Sequence, residues 1–184
     1  MKNVPNLETI IQEMENYTKQ ILENSRSEFG RKSACPFVKR EREEQKIEYR
    51  LCDITADGPS DDVLRVIRQF GTEQKYSTLL VIDPVKRVSA DQLIEIGIAV
   101  SEMTRGDRLI AIGVHPDDPF EIGGYRTRLI PYVTLLVQAT EYLQWAKDKI
   151  KASSYYANWS PLALKGDWEQ IGKFLPAPTK SETK

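Results

Sequence analysis

Histidine, cysteine and methionine are scarce in this sequence, which has one His, two Cys and three Met among 184 residues. A tetrahedral zinc site takes about four protein ligands, mostly Cys and His. The chain cannot supply a standard site of that kind, and we expect no metal centre. The P-loop, GxGxxG, HExxH, CxxC and GxSxG patterns are also missing. Their absence removes the usual nucleotide-binding, metalloprotease and serine-hydrolase hypotheses.

Long hydrophobic runs and an excess of one charge are lacking as well. The longest apolar runs, at residues 79–82 and 109–114, fall far short of the roughly 20 residues in a membrane-spanning helix. The 26 Lys and Arg residues nearly balance the 27 Asp and Glu residues, so nucleic acid is not an expected partner. The first 20 residues do not resemble an export signal. We therefore expect a cytoplasmic protein with reduced cysteines.

Hydrophobic periodicity predicts alternating helices and strands. Helical spacing occurs at residues 6–24, 60–71, 89–103 and 131–150, and strand spacing at 47–52, 76–82 and 108–114. Asn6 and Ser60 are predicted to start the first two helices, and Ser89 with Gln92 to form a capping box at the third. Gly71 is predicted to end the second helix, and residues 30–44 are predicted to be a loop that ends in a charged run. The order α-β-α-β-α-β-α predicts an α/β or α+β fold, with a small sheet of three or more strands covered by helices. The strand at 108–114 is expected to be central. We expect one domain over residues 1–178, whose Trp-rich end wraps over the body, and a disordered tail at 179–184.

Cys35 is the first candidate for chemistry. Pro36 disfavours helical geometry at Cys35, so the thiol is expected on a turn or extended backbone. Cations lower the pKa of a nearby thiol and raise its thiolate fraction, and four lie close in sequence: Arg31, Lys32, Lys39 and Arg40. The alternative is a small buried apolar residue beside an aromatic anchor. Cys52 falls within a strand and is expected in the core.

His115 is the second candidate, because it is the only histidine and follows the strand at 108–114. Ligand sites of α/β proteins commonly lie at the carboxyl ends of strands. A histidine there is suited to general acid or base catalysis near neutral pH. Asp117 or Asp118 could orient its imidazole or raise its pKa. The alternative is a capped strand end followed by a Pro-rich turn.

A glycine- and arginine-containing loop is the third candidate. Gly123 and Gly124 permit close approach of a ligand to the backbone, and Tyr125 follows them. Arg126 and Arg128 offer forked donors suited to carboxylate or phosphate. These features, with a helix expected to start at Pro131, predict an anion-binding element. The alternative is a flexible loop whose arginines pair with local acids.

Taken in order, these motifs resemble those of an uncharacterised bacterial family of small conserved proteins, of the accessory type found in biosynthetic gene clusters. The resemblance covers roughly residues 20–145, and its matches are Cys35-Pro36-Phe37, Leu79 to Pro84, His115-Pro116-Asp117, Arg128 and Pro131-Tyr132. The chain departs from the family pattern by its Gly123-Gly124 loop and by two residues inserted between Arg128 and Pro131. The family has no assigned activity, so the resemblance implies where a site lies and leaves the reaction open.

Three functions follow from these candidates. The first is a small bacterial enzyme that acts on an anionic metabolite by acyl transfer or hydrolysis, with Cys35 as nucleophile, His115 as acid or base and Asp117 orienting it. The second is a haem protein or haem-dependent oxidoreductase ligated by Cys35 or His115. The third is a non-catalytic homodimeric binding or scaffold protein. The enzyme hypothesis is preferred because polar loops containing Arg and His follow one strand.

Overall fold

A computed structural model describes residues 5–122 and 124–157, and every structural statement below concerns these residues. The helices are α1 (Leu7–Tyr17), α2 (Val38–Glu43), α3 (Asp61–Glu73), α4 (Ala90–Met103) and α5 (Thr140–Lys151). The strands are β1 (Ser25–Arg26), β2 (Lys32–Ser33), β3 (Ile47–Leu51), β4 (Thr78–Asp83), β5 (Leu109–Val114), β6 (Glu121–Ile122), β7 (Tyr125–Arg126) and β8 (Val133–Ala139). A π-helical turn, Thr18–Leu22, continues α1.

Polar side chains start three of the helices where the sequence predicts it. Asn6, Ser60 and Ser89 each accept a hydrogen bond from a main-chain N–H in the first turn of α1, α3 and α4. Each bond satisfies an N–H that has no partner within the helix. At α4 the bond is reciprocal, because Gln92 accepts from the Ser89 N–H at 2.9 Å. The predicted capping box is thus confirmed.

The main sheet is mixed, with strand order β3-β4-β8-β5. β3 pairs parallel with β4, and β8 runs antiparallel to both β4 and β5. Two-stranded hairpins, β1-β2 and β6-β7, lie apart from it. The fold is therefore α+β, which is one of the two classes that the sequence predicts. The predicted order of elements is wrong, because α2 precedes β3 and a strand, β8, replaces the first part of the last predicted helix.

The prediction of one long helix over residues 131–150 is wrong in its first half. Val133–Ala139 is a strand, and α5 begins only at Thr140. The side chains of Val133, Leu135 and Val137 are fully buried. A strand buried on both faces has a nearly continuous apolar sequence, and such a run also fits a helical pattern. Pairing with a neighbour on each side decides in favour of the strand.

Three smaller predictions also need correction. The strand at Leu109–Val114 lies at an edge of the sheet, and β4 and β8 are the interior strands. The charged segment predicted as a loop contains the helix Val38–Glu43. Gly71 does not stop α3, which continues to Glu73 and ends at Gln74 in the left-handed conformation.

Helices cover both faces of the main sheet. On one face, α3 and α4 pack against alternate residues of the interior strands, through a cluster that includes Ile67, Phe70, Leu93, Val100, Leu79, Val81, Leu135 and Val137. On the other face, α1 contributes Ile10 and Met14, which pack near Leu80, Ile82 and Leu136. The alternation along β4 explains why its apolar run is continuous.

Helix α4 lies unusually close to β5. A Cβ atom added to Gly113 would lie 2.5 Å from the Leu93 carbonyl oxygen, and one added to Gly97 would lie 3.0 Å from the Gly113 nitrogen. The Ser101 hydroxyl accepts from the Ala111 N–H at 2.9 Å and so replaces a missing strand partner at this sheet edge. The position of the helix over β5, and of the loop that follows β5, depends on these small residues.

The C-terminal predictions lie outside the described residues. They concern the wrapping segment with Trp159, Trp168 and Phe174, and the tail at 179–184. In the described part of the chain, no helix combines the length and the apolar character needed to cross a bilayer.

Candidate functional site

The candidate site lies at the sheet edge where β3, β4 and β5 end. These three strands run in the same direction, and β8 starts at the same edge, since Asp83 is opposite Val133 and Val114 is opposite Thr134. The polar loop from His115 to Arg128 therefore extends from a rigid sheet. This edge is where sheets with parallel strands commonly bind ligands.

Asp83 fixes the centre of this edge. Its side chain is fully buried, and its carboxylate accepts hydrogen bonds from the main-chain N–H groups of Ile54 at 3.1 Å and Val85 at 2.7 Å. Arg87 donates to it at 3.2 Å and also pairs with Asp53 at 2.5 Å. A buried carboxylate needs such partners to offset its desolvation. Asp83 thereby ties the segments after β3 and β4 together.

His115 is 3% exposed, and both of its ring nitrogens have partners. Nδ1 accepts from the Asp117 N–H at 3.0 Å, and Nε2 lies 3.0 Å from the Val88 carbonyl oxygen. Because Nδ1 is the acceptor, Nε2 carries the proton, and the ring is the neutral tautomer. The main chain of Asp117, and not its carboxylate, orients the ring. This geometry makes His115 a positioning residue that holds the loop against the segment before α4.

The two aspartates after His115 bind different cations. The Asp117 carboxylate lies 2.5 Å from Lys86 Nζ, and this hydrogen bond holds the pKa of Asp117 below its usual range. The buried Asp118 carboxylate accepts from Arg128 at 2.6 Å, while its carbonyl oxygen accepts from Arg126 at 2.8 Å. Asp118 thus holds both predicted anion-binding arginines.

A third arginine joins this cluster from the β1-β2 hairpin. The Arg26 guanidinium lies 4.3 Å from the Tyr125 ring centroid and donates to the Tyr125 hydroxyl at 2.9 Å. The Nε atoms of Arg26 and Arg126 are both buried, and within residues 5–122 and 124–157 neither has a hydrogen-bond partner. A buried donor left without an acceptor costs about 1–3 kcal/mol. The arginine cluster, defined as Arg26, Arg126 and Arg128, therefore contains two buried donors without acceptors among the described residues.

Cys35 lies near the arginine cluster through Tyr17. The Tyr17 hydroxyl donates to the Thr127 carbonyl at 2.7 Å. Burial raises the pKa of Tyr17 well above its usual range, and the nearby charges that also act on it are those of Arg128, Cys35 and Tyr125. Cys35 itself is half-buried, and its N–H donates to the Leu22 carbonyl at 3.2 Å. The predicted thiol and two predicted anion-binding residues thus all act electrostatically on one phenol.

The four cations near Cys35 in sequence have other contacts. Lys32 donates to the Ser154 carbonyl at 2.5 Å, and Lys39 pairs with Glu43 along α2. Arg40 lies 5.4 Å from the Trp145 ring centroid. Arg31 is exposed, with a positive φ of 64°. Arg128 and Cys35 both act electrostatically on Tyr17, and Arg40 and Cys35 both act on Tyr142.

The structure brings most of the predicted site residues to this edge and adds several that the sequence analysis missed. Gly124 adopts φ of 83° in the β6-β7 turn, whereas Gly123 lies outside the described residues. The missed residues are Arg26, Tyr17, Asp83 and Lys86. Tyr17 has core spacing in α1, and no local pattern distinguishes Arg26 from other surface arginines. The Asp83-Pro84 strand end was a usable signal for Asp83.

Metal binding and similarity to known proteins give no further assignment. No group of three or more His, Cys, Asp or Glu side chains in the described ranges is arranged to hold a metal ion. Comparisons with protein-family models, curated proteins and solved structures found no match to this chain.

Proposed function

We propose that this protein is a small enzyme that binds an anionic metabolite at the arginine cluster and acts on it through the Cys35 thiol. The observation that carries the proposal is the pair of buried, unsatisfied guanidinium Nε atoms on Arg26 and Arg126. Buried donors without acceptors are rare in folded proteins and call for an explanation. A carboxylate or phosphate bound beside Tyr125 supplies acceptors of matching charge and geometry.

The charge balance of the cluster favours an anion. Arg26 and Arg128 lie against the rings of Tyr125 and Phe120, and of the three arginines only Arg128 forms an ion pair with a carboxylate among the described residues, through Asp118. Glu28 and Asp117 act on Arg26 and Arg126 electrostatically, without forming an ion pair with them. Aromatic rings on one side of Arg26 and Arg128 keep their planes fixed, which lowers the cost of ordering them around a ligand.

Cys35 supplies the reactive group in this proposal. Acyl transfer or hydrolysis requires a nucleophile close to the bound anion. Cys35 takes this role in the proposal because Cys35 and Arg128 both act electrostatically on Tyr17. The Cys35 sulfur forms a bond to the acyl carbon as the bond to the leaving group breaks, and the proton that the thiol gives up goes to the leaving group. Water then attacks the thioester, which releases the carboxylic acid and restores the thiol. His115 serves to position the loop, because both its nitrogens are engaged. The haem and scaffold hypotheses stay predictions, since no specific contact of the described residues favours either.

The test combines anion binding with thiol labelling. Inorganic phosphate and citrate are titrated into the full chain and followed by calorimetry. We expect saturable binding that weakens about 10-fold or more in Arg126→Gln, because a charge-assisted hydrogen bond is worth about 1.5–3 kcal/mol. Arg105→Gln is the control, since Arg105 is exposed and pairs only with its helix neighbour Glu102 among the described residues.

The second readout is the rate of Cys35 alkylation by iodoacetamide, measured by mass spectrometry. We expect the bound anion to slow labelling of Cys35, with Cys52, buried in the core, as the internal reference. Unchanged affinity in Arg126→Gln, or equal labelling of Cys35 with and without saturating anion, would contradict the proposed site.

A further inference from the structure

A second cavity lies at the opposite edge of the main sheet, where β3, β4 and β5 begin. Its volume is about 730 Å³, which falls within the range of small-molecule sites. Side chains from α2, the end of α3, the start of β5 and the start of α5 line it. None of the residues of the arginine cluster is among them. The cavity is therefore not the anion-binding part of the site proposed above.

Glu41 is the buried acid of this cavity. Its side chain lines the cavity and the residue is 6% exposed. Its carboxylate accepts from the Thr78 hydroxyl at 3.1 Å and from the Tyr142 hydroxyl. Both donors are neutral, and no Lys, Arg or His in the described ranges forms an ion pair with Glu41. Carboxylates this deeply buried are usually paired with a cation, so a positive group is missing here.

The other acids of the cavity already have cations. Glu141 pairs with Arg108 at 2.6 Å, and Glu44 with Arg40 at 3.8 Å. Asp107 lies 3.9 Å from Arg68. These pairs cancel most of the charge at the rim and leave Glu41 as the unbalanced acid.

Two lysines at the same cavity form no ion pair with a carboxylate among the described residues, although Glu73 and Glu48 act electrostatically on Lys75. Lys46 Nζ donates to the Lys75 carbonyl at 3.4 Å, and Lys75 Nζ lies 4.8 Å from the Tyr76 ring centroid. Neither ammonium group has a carboxylate partner within the structure as described. The cavity thus offers a buried acceptor for a cation and two exposed donors for an anion.

We propose that this cavity binds a small zwitterion of the α-amino-acid type. The ligand's ammonium group is received by Glu41, and its carboxylate by Lys46 and Lys75. The lining of the cavity also includes apolar and aromatic residues, which can contact the side chain of such a ligand: Phe70, Leu109, Ala139, Tyr76 and Tyr142. An apolar side chain fits this lining better than a charged one, because the charges of the rim are already paired. The two opposite poles distinguish such a ligand from a simple amine or a simple acid.

The test uses L-phenylalanine and two analogues that each lack one pole. Phenethylamine lacks the carboxylate, and 3-phenylpropanoate lacks the ammonium group. All three are titrated into the ¹⁵N-labelled full chain, and amide shifts of the cavity residues are followed. We expect saturable binding of L-phenylalanine and about 10-fold weaker binding of either analogue, since each lost charged contact is worth about 1.5–3 kcal/mol.

Two variants test which residue contacts the ammonium group of the ligand and which contacts its carboxylate. Glu41→Gln should weaken L-phenylalanine about 10-fold while leaving 3-phenylpropanoate unchanged, and Lys75→Gln should weaken L-phenylalanine but not phenethylamine. Glu43→Gln is the matched control, because Glu43 is exposed on the same helix and does not line the cavity. If Glu41→Gln fails to fold, the exposed Lys75→Gln variant still decides the question. No saturable shifts at the cavity, or equal affinities for the three compounds, would overturn the proposal.

Discussion

Replacement of Gly113 by alanine tests the close packing of α4 on β5. The added methyl group would lie 2.5 Å from the Leu93 carbonyl oxygen and 2.8 Å from its carbonyl carbon. These are main-chain atoms within a helix, so no side-chain rotation relieves the contact. The helix must move away from the strand, and the Ser101 hydroxyl, which bonds to Ala111, moves with it.

Opposing contributions decide the size of the effect. Overpacking a well-filled interior costs about 1–3 kcal/mol and occasionally more, and rigid main-chain atoms favour the upper end. Alanine lowers the conformational entropy of the unfolded chain relative to glycine, and this effect stabilises the folded state by about 0.4–1 kcal/mol. The expected net loss in the free energy of unfolding is about 2 kcal/mol. For a chain of this size that corresponds to a fall in Tm of about 4–8 °C.

Thermal and urea denaturation followed by circular dichroism measure this loss. Gly106→Ala is the control, because a Cβ atom there meets no atom within 4 Å. This control should be neutral or slightly stabilised, since only the unfolded-state contribution remains. A Gly113→Ala protein as stable as the Gly106→Ala protein would refute the close approach of helix and strand.

Three further predictions concern stability. Asp83→Asn should lower the free energy of unfolding by about 3 kcal/mol in urea denaturation, because the amide cannot satisfy two main-chain N–H groups and Arg87 together. Ser89→Ala should cost about 1 kcal/mol by removing the N-cap of α4. Burial raises the pKa of Tyr49 to about 12, so the folded state retains a proton that the unfolded chain loses near pH 10. Stability should therefore fall as pH rises between these values, and the fall should be smaller in Tyr49→Phe.

Local signals explain what could be predicted of the fold. The N-caps at Asn6, Ser60 and Ser89 depend on short-range hydrogen bonds, and all three are confirmed. The strand Val133–Ala139 depends on pairing with residues at least 20 positions earlier in sequence, which no local pattern encodes. The same limit applies to the edge position of β5, since strand order is a tertiary property.

The candidate site also has some features that the local sequence predicts and others that depend on tertiary contacts. The loop containing His115 and Arg128 could be found because a strand end precedes it and arginines are frequent in anion sites. Its link to Cys35 runs through Tyr17 of α1, whose hydroxyl donates to Thr127 and on which both Cys35 and Arg128 act electrostatically, and no local pattern encodes that contact. The sequence alone does not show how the two adjacent aspartates differ. In the structure Asp117 pairs with Lys86 and Asp118 pairs with Arg128.

The position of β8 has a consequence for how the chain folds. β4 and β5 do not pair with each other, because the later strand lies between them. Until Val133–Ala139 has been synthesised, β5 has no partner in the main sheet, and β3-β4 is the only pair of that sheet whose two strands are both present. The four-stranded sheet can therefore form only after its last strand is available. Such late, non-local pairing is slow and leaves apolar strand edges open to association, so yield in expression should depend on temperature and chaperones more than equilibrium stability does.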